Sequence, residues 1–205
     1  MRGKYTAKWK CKSRERIFKQ ALGKEKRGDM LHLITGGSGS GKSAYAEAQV
    51  LAAGEGKRIY IATMIPYGRE GKQRVERHRR LRQEKQFETV ERYTDLGGLV
   101  LPEDSIVLLE CMSNLVANEV FEPDGAREKT VEAVVEGVRA LKQRAKALFL
   151  VTNEVFSDGI LYDAETKRYL SYLGDINVKV AAMADRVTEV VYGIPVEVKA
   201  MEQRG

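Results

Sequence analysis

The chain is poor in the residues that staple small proteins or anchor metals, with two cysteines and two histidines in 205 residues. Cys11 and Cys111 sit in unrelated contexts and make no spacing that a disulfide framework or a zinc site requires, so both read as reduced thiols without a structural role. Long hydrophobic runs are missing as well. No apolar stretch approaches the length of a membrane span, and the charged N-terminus lacks a secretory hydrophobic region, which predicts a soluble, cytoplasmic protein. There are no internal repeats, and no low-complexity tract beyond the first 29 residues. One sizeable core is expected at this length, rather than two.

Charge is abundant but unevenly placed. Residues 1–29 hold eleven of the 35 Lys/Arg and three of the 29 Asp/Glu, which leaves 24 basic against 26 acidic residues for the remainder. The net charge of +6 therefore belongs to the tail, and the body is nearly neutral. Few apolar residues and no sustained period predict a disordered or frayed tail. A nucleic-acid-binding arm, with Tyr5 and Trp9 as stacking candidates, is a second reading. A third, favoured here, places the native start at Met30, which opens the first strand directly. Residues 30–205 then form a single nucleotide-binding catalytic domain, and no nucleic-acid partner is expected.

The chain is organised around Gly36-Gly37-Ser38-Gly39-Ser40-Gly41-Lys42-Ser43, which has the G-x-x-x-x-G-K-[ST] spacing of a phosphate-binding loop. Its glycines let backbone N–H groups converge on a triphosphate, Lys42 reaches the β and γ phosphates, and the Ser43 hydroxyl is placed for Mg²⁺. An apolar strand over residues 30–35 precedes it and a helix over residues 43–53 follows, so the phosphates sit at a helix N-terminus.

Further strands are expected at residues 57–62, 87–91, 105–110 and 147–151, with two short ones at 188–192 and 196–199 around a Gly193-Ile194-Pro195 turn. Helices are expected at residues 70–85, 112–121, 126–146 and 163–185. In the third of these Val131, Val134, Val135, Val138 and Leu141 form one apolar face. In the last, Leu170, Leu173, Val180 and Met183 do so. The alternation of strands and helices predicts an α/β P-loop NTPase with a mostly parallel sheet flanked by helices. Residues 63–68 then form a loop at a strand's carboxyl end, facing the nucleotide.

Two positions carry open alternatives. Glu110 ends an apolar strand, as the Mg²⁺-side carboxylate of a phosphate-loop enzyme does, or it caps the helix that follows. His78 lies in Arg74-Val-Glu-Arg-His-Arg79 on a strongly charged helix, which is either a solvated surface or a site. Flanking guanidinium groups depress its pKa and keep the imidazole neutral, as a nucleophile toward phosphorus requires. His32 reads as a strand residue, hydrogen-bonded in the core. Asn153, Glu154 and Asp158 satisfy turn backbone groups or border a second substrate, and no chemistry is assigned to them.

Six segments taken together resemble a known family. They are Thr35-Gly-Gly-Ser-Gly-Ser-Gly-Lys-Ser43, Tyr60-Ile-Ala-Thr63, Arg74-Val-Glu-Arg-His-Arg79, Leu108-Leu-Glu-Cys-Met112, Val151-Thr-Asn-Glu-Val155 and Val191-Tyr-Gly-Ile-Pro195. The set, covering roughly residues 31–199, is similar to the bifunctional adenosylcobinamide kinase / adenosylcobinamide-phosphate guanylyltransferase family of cobalamin biosynthesis. The resemblance implies a RecA-like fold and a homotrimer with active sites between subunits. It implies ATP and GTP as substrates and a corrinoid acceptor; Mg²⁺, expected from the residues themselves, is assigned to Ser43 and Glu110. Carried over by position, the resemblance implies that residues 36–43 hold phosphates, that Thr63, Met64 and Ile65 lie along the nucleotide, and that His78 is guanylylated. Arg79, Arg80, Leu81, Arg82, Glu91 and Glu110 then contact GTP. Gly39 departs from the pattern, since many members carry arginine there, and the basic tail has no counterpart.

The main alternative is a P-loop kinase of another small acceptor, without a covalent nucleotide intermediate. A nucleic-acid-binding or regulatory ATPase using the basic tail is the non-catalytic alternative, and its binding would be steeply salt-dependent.

Overall fold

Seven short strands, most of them runs of Val, Ile and Leu, lie side by side in one sheet. The computed structural model describes residues 30–66, 68, 69, 76, 85–156 and 159–200. The tail of residues 1–29 and most of the charged stretch around His78 lie outside them. In chain order the elements are β1 (Met30–Thr35), α1 (Lys42–Ala52), β2 (Lys57–Ala62), β3 (Phe87–Glu91), β4 (Ser105–Glu110), α2 (Met112–Phe121), α3 (Thr130–Arg144), β5 (Ala147–Val151), α4 (Ala164–Met183), β6 (Arg186–Val191) and β7 (Ile194–Lys199). The sheet order is β3-β2-β4-β5-β1-β6-β7, and every pairing is parallel except that of β6 with β7. This is the mostly parallel, helix-flanked P-loop architecture expected, with the loop after the first strand.

Side-chain alternation divides the core in two. Leu31, Leu33, Ile59, Ile61, Val107, Leu109, Leu148 and Leu150 point to one face, where α2, α3 and α4 cover them. Ile34, Tyr60, Ile106, Leu108, Phe149 and Val151 point to the other, where α1 packs with Tyr45, Ala46 and Val50. The central strands are buried on both faces, which is why they read as continuous apolar runs. Each fully buried Leu or Ile contributes roughly 1.5–3 kcal/mol. β7 is exposed along its whole length, and Pro195, which cannot donate to a ladder, is accommodated on this edge strand.

Several boundaries differ from the sequence expectation, among them the start of β6, expected at Thr188 and found at Arg186. The helix expected at residues 126–146 is a 3-10 turn, Arg127–Lys129, followed by α3. Arg127 sits at φ 57, a left-handed value that an α-helix cannot contain, and α3 stops at Ala145, whose extended backbone leads into β5. The final helix ends at Met183 rather than near Asp185, and its buried stripe is Leu173, Ile176 and Val180. Asp185 is diverted to β1: its carboxylate accepts from Leu31 N at 2.8 Å and pairs with Lys142 at 2.9 Å. Lastly, Ile194 and Pro195 belong to β7, and the turn is Tyr192-Gly193. Both turn residues have positive φ, 50 and 79, as a two-residue hairpin with type I′ geometry demands.

Candidate functional site

Six parallel strands bring their carboxyl ends to one edge of the sheet. Residues 36–43, Thr63, Glu91, Glu110, Asn153 and Tyr192 follow or close those strands, so sequence segments far apart meet there. In open α/β sheets ligands bind outside this edge.

The loop itself depends on glycine at two points. Gly36 has φ 154, and a Cβ there would stand 2.6 Å from both Ser40 Oγ and the Val190 carbonyl. Gly41, at φ 92, is the N-cap of α1 and offers no side-chain cap, and α1 has no acidic residue in its first turn. The first N–H groups of α1 are therefore left for an anion, with the positive end of the helix dipole behind them. Lys42 is 7% exposed and its ammonium arches back to the Gly37 carbonyl at 3.0 Å. Burial lowers its pKa, an effect that nearby Cys111 and Glu110 oppose.

Glu110 stands opposite. Its Oε1 accepts a hydrogen bond from the Ser43 hydroxyl, and its Oε2 accepts one from the Tyr60 hydroxyl at 2.8 Å. It does not cap α2, whose N-cap is Cys111 without a side-chain hydrogen bond. Ser43 and Glu110 thus present two hard oxygens side by side at the phosphate loop. That donor set fits Mg²⁺, which takes one or two protein oxygens and completes its octahedron with substrate phosphates and water. Among the described residues no group of three or more His, Cys, Asp or Glu side chains could hold a metal, so an all-protein cage is not built here.

Thr63 is fully buried and its hydroxyl is committed: it donates to the Cys111 carbonyl at 2.8 Å and accepts from Cys111 N at 2.7 Å. Its carbonyl accepts from Asn118 Nδ2 at 2.8 Å. The residue therefore clamps the end of β2 to the end of β4, with half-buried Met64 and Ile65 beyond it. Glu91 ends β3, is exposed, and accepts from the Tyr93 hydroxyl at 2.9 Å. Asn153 donates to Ser113 Oγ at 3.0 Å, and Glu154 N donates to the Gly36 carbonyl at 3.1 Å, so this turn braces the loop from the β5 side. Asp158, His78, Arg79, Arg80, Leu81 and Arg82 lie outside the described residues. The flanks of the His78 stretch are placed: it leaves β2 through residues 63–66, and it returns at Lys85, whose ammonium pairs with Glu47 of α1.

His32 sits apart from the site, fully buried on β1. Its Nε2 pairs with Thr188 Oγ1 at 2.8 Å, and its ring lies against Phe149 and edge-on to Tyr45. Burial, aided by the Arg186 charge, lowers its pKa to about 3.

Sequence reasoning passed over Tyr60, Ser113 and Asn118. Each reads as an ordinary strand or helix residue, and its polar atom acquires a partner only through the sheet register. The one usable signal was Tyr60, a lone hydroxyl in an otherwise aliphatic stretch two residues before the strand's carboxyl end.

The family model described as cobinamide kinase / cobinamide phosphate guanyltransferase matches residues 32–198. The chain is 36% identical over 185 residues to the bifunctional adenosylcobalamin biosynthesis protein CobU of Escherichia coli K12, covering 83% of this chain and all of that protein. It is 32% identical to the protein of the same name from Salmonella typhimurium LT2, again over 83% of this chain and all of the other. The protein CobP of Pseudomonas aeruginosa, 30% identical, is covered to 98% of its length, and this chain to 83%.

Proposed function

The chain belongs to the cobinamide kinase / cobinamide phosphate guanyltransferase family, and from that membership we propose how its residues divide the work. It is an enzyme of cobalamin biosynthesis with two transferase activities, one phosphorylating adenosylcobinamide and one attaching GMP to the product. The Ser43–Glu110 juxtaposition beside Lys42 carries the assignment of the phosphoryl-transfer centre.

In the kinase step the nucleoside triphosphate lies in the loop of residues 36–43, its β and γ phosphates held by backbone N–H groups and by Lys42. The acceptor hydroxyl attacks the γ-phosphorus, the bond to the bridging β–γ oxygen breaks, and the hydroxyl proton is released. Lys42 and the α1 N-terminus stabilise charge on the phosphoryl oxygens, with no covalent enzyme intermediate. Ser43 and Glu110 hold Mg²⁺, which when bound neutralises β and γ phosphate charge.

In the second step the neutral imidazole of His78 attacks the α-phosphorus of GTP and expels pyrophosphate, forming an N–P bond. A phosphate oxygen of the corrinoid then attacks that phosphorus, the N–P bond breaks, and adenosylcobinamide-GDP leaves. Arg79, Arg80 and Arg82 stabilise charge on the reacting oxygens, Thr63, Met64 and Ile65 border the nucleotide, and Glu91 contacts GTP. A homotrimer with shared active sites, working in the cytoplasm, completes the reading. No helix among the described residues is long and apolar enough to cross a membrane.

The test is incubation of the protein with GTP labelled on the α-phosphate, without corrinoid, beside a His78→Ala variant. Acid-labile, alkali-stable label on the wild type and none on the variant is expected. Absence of label on a folded, GTP-binding wild type would remove the covalent step and leave a kinase.

A further inference from the structure

The segment leaving β5 carries apolar side chains that the fold leaves uncovered. Val155 packs against the core, but Phe156, Ile160 and Leu161 are exposed, Leu161 to 94%. A single exposed leucine needs no explanation, whereas several large hydrophobic residues within six positions, beside a site, mark a surface that another molecule covers. Phe156 is seated on the fold: a Cβ on Gly174 of α4 would lie 3.8 Å from its Cε1 and 3.9 Å from its Cζ. Its ring thus rests beside that helix and stands half in solvent.

Hydrogen bonds on both sides fix where this segment begins. β5 lies between β1, which leads into the phosphate loop, and β4, which ends at Glu110. Just after β5, Glu154 N donates to the Gly36 carbonyl at 3.1 Å, and Asn153 Nδ2 donates to Ser113 Oγ, three residues past Glu110, at 3.0 Å. The segment therefore bridges the two walls that carry Lys42, Ser43 and Glu110, and its exposed apolar residues begin two positions further on. Residues 63–65 and Glu91, which the reading above gives to the nucleotide, follow β2 and close β3 on the far side of β4. The β5 side of the phosphoryl-transfer centre is left for the acceptor.

We propose that Phe156, Ile160 and Leu161 form the surface that receives the corrinoid macrocycle. This rests on the chain being a kinase of adenosylcobinamide, as argued above. A corrinoid is a broad ring rimmed with methyl groups and amide side chains, much larger than the hydroxyl that reacts. Covering its methyl-rich area with apolar side chains supplies affinity without demanding a directional contact, and leaves the hydroxyl to reach toward the γ-phosphorus.

The experiment is steady-state kinetics of the kinase reaction by the full chain with Mg²⁺, varying adenosylcobinamide at saturating ATP and then ATP at saturating adenosylcobinamide. The variants are Leu161→Ser, whose side chain has almost no packing to lose, and Phe156→Ala. Expected for each is a KM for adenosylcobinamide raised about tenfold, with kcat and the KM for ATP unchanged. Melting temperature and sedimentation coefficient are expected to stay at wild-type values in Leu161→Ser. An unchanged KM for adenosylcobinamide in either variant overturns the surface while leaving the kinase reading intact. An equal rise in the KM for ATP does the same, and so does a changed sedimentation coefficient, which would make the patch a contact between copies of this chain. A folded wild type that does not phosphorylate adenosylcobinamide overturns the kinase reading and the surface together.

Discussion

The Tyr60 hydroxyl donates to Glu110 Oε2 at 2.8 Å, fixing a carboxylate whose other oxygen faces Ser43. Tyr60 is 5% exposed and belongs to the core on the α1 side of the sheet, so its ring position is set by packing, with Phe87 edge-on at 6.1 Å. Removing only the hydroxyl frees the carboxylate to rotate away from Ser43. Tyr60→Phe is expected to raise the Mg²⁺ concentration for half-maximal kinase activity about tenfold, with kcat restored at saturating Mg²⁺. Mn²⁺ binding to the GTP complex, followed by electron paramagnetic resonance, should weaken in parallel. An unchanged metal requirement would show that Glu110 is oriented without Tyr60.

His32 makes stability depend on acid. Its folded-state pKa of about 3 lies below the ordinary 6.5, so between these values the unfolded chain binds the extra proton and stability falls as pH is lowered. The contribution is fully present above pH ~6.5 and is lost at about 1.4 kcal/mol per pH unit below it. His32→Gln removes the titrating group. Urea unfolding at pH 7 and pH 5.5 should show the wild type losing about 1 kcal/mol more than the variant over this interval. Equal losses would mean that His32 is protonated in the folded protein.

Gly36 cannot carry a side chain. A methyl group there meets the Val190 carbonyl and Ser40 Oγ, both at 2.6 Å, and φ 154 is unfavourable for any L-residue. Because Val190 is backbone on β6, relief requires moving the hairpin strand or reshaping the loop. Gly36→Ala is expected to cost about 1–3 kcal/mol in chemical unfolding and to abolish measurable GTP binding. Wild-type GTP affinity in this variant would show the close approach to be soft.

Glu119 ties two loops together from inside α2. It is buried, its Oε1 accepts from Asp95 N at 2.7 Å and its Oε2 from Ala126 N at 2.8 Å. Glutamine preserves the shape but turns one acceptor into a donor facing an N–H. Glu119→Gln is therefore expected to destabilise the protein by about 1–3 kcal/mol in chemical unfolding, with nucleotide binding to the folded form intact. A stability loss below the error of the measurement would mean that the loop amides find other acceptors.

Much of this architecture was legible before any coordinates. The runs around Ile59, Ile106 and Phe149 announce buried strands because a parallel strand covered on both faces has no polar side to display. The loop from Gly36 to Ser43 announces itself because its glycines and Lys42 answer to local backbone and charge requirements. Boundaries were less legible where a single backbone angle decided them, as at Arg127, or where a residue was recruited elsewhere, as Asp185 was by Leu31.

The sequence by itself determined the elements whose causes are local: the alternating strands, the amphipathic helices and the phosphate loop with its order in the chain. Tertiary structure alone decided which strands became neighbours, and with that the meeting of Tyr60, Glu110 and Ser43 and the seating of Gly193 against Ser40. The reason is that these contacts join residues dozens to more than a hundred positions apart. Their geometry comes from sheet register and side-chain alternation, which no single segment encodes.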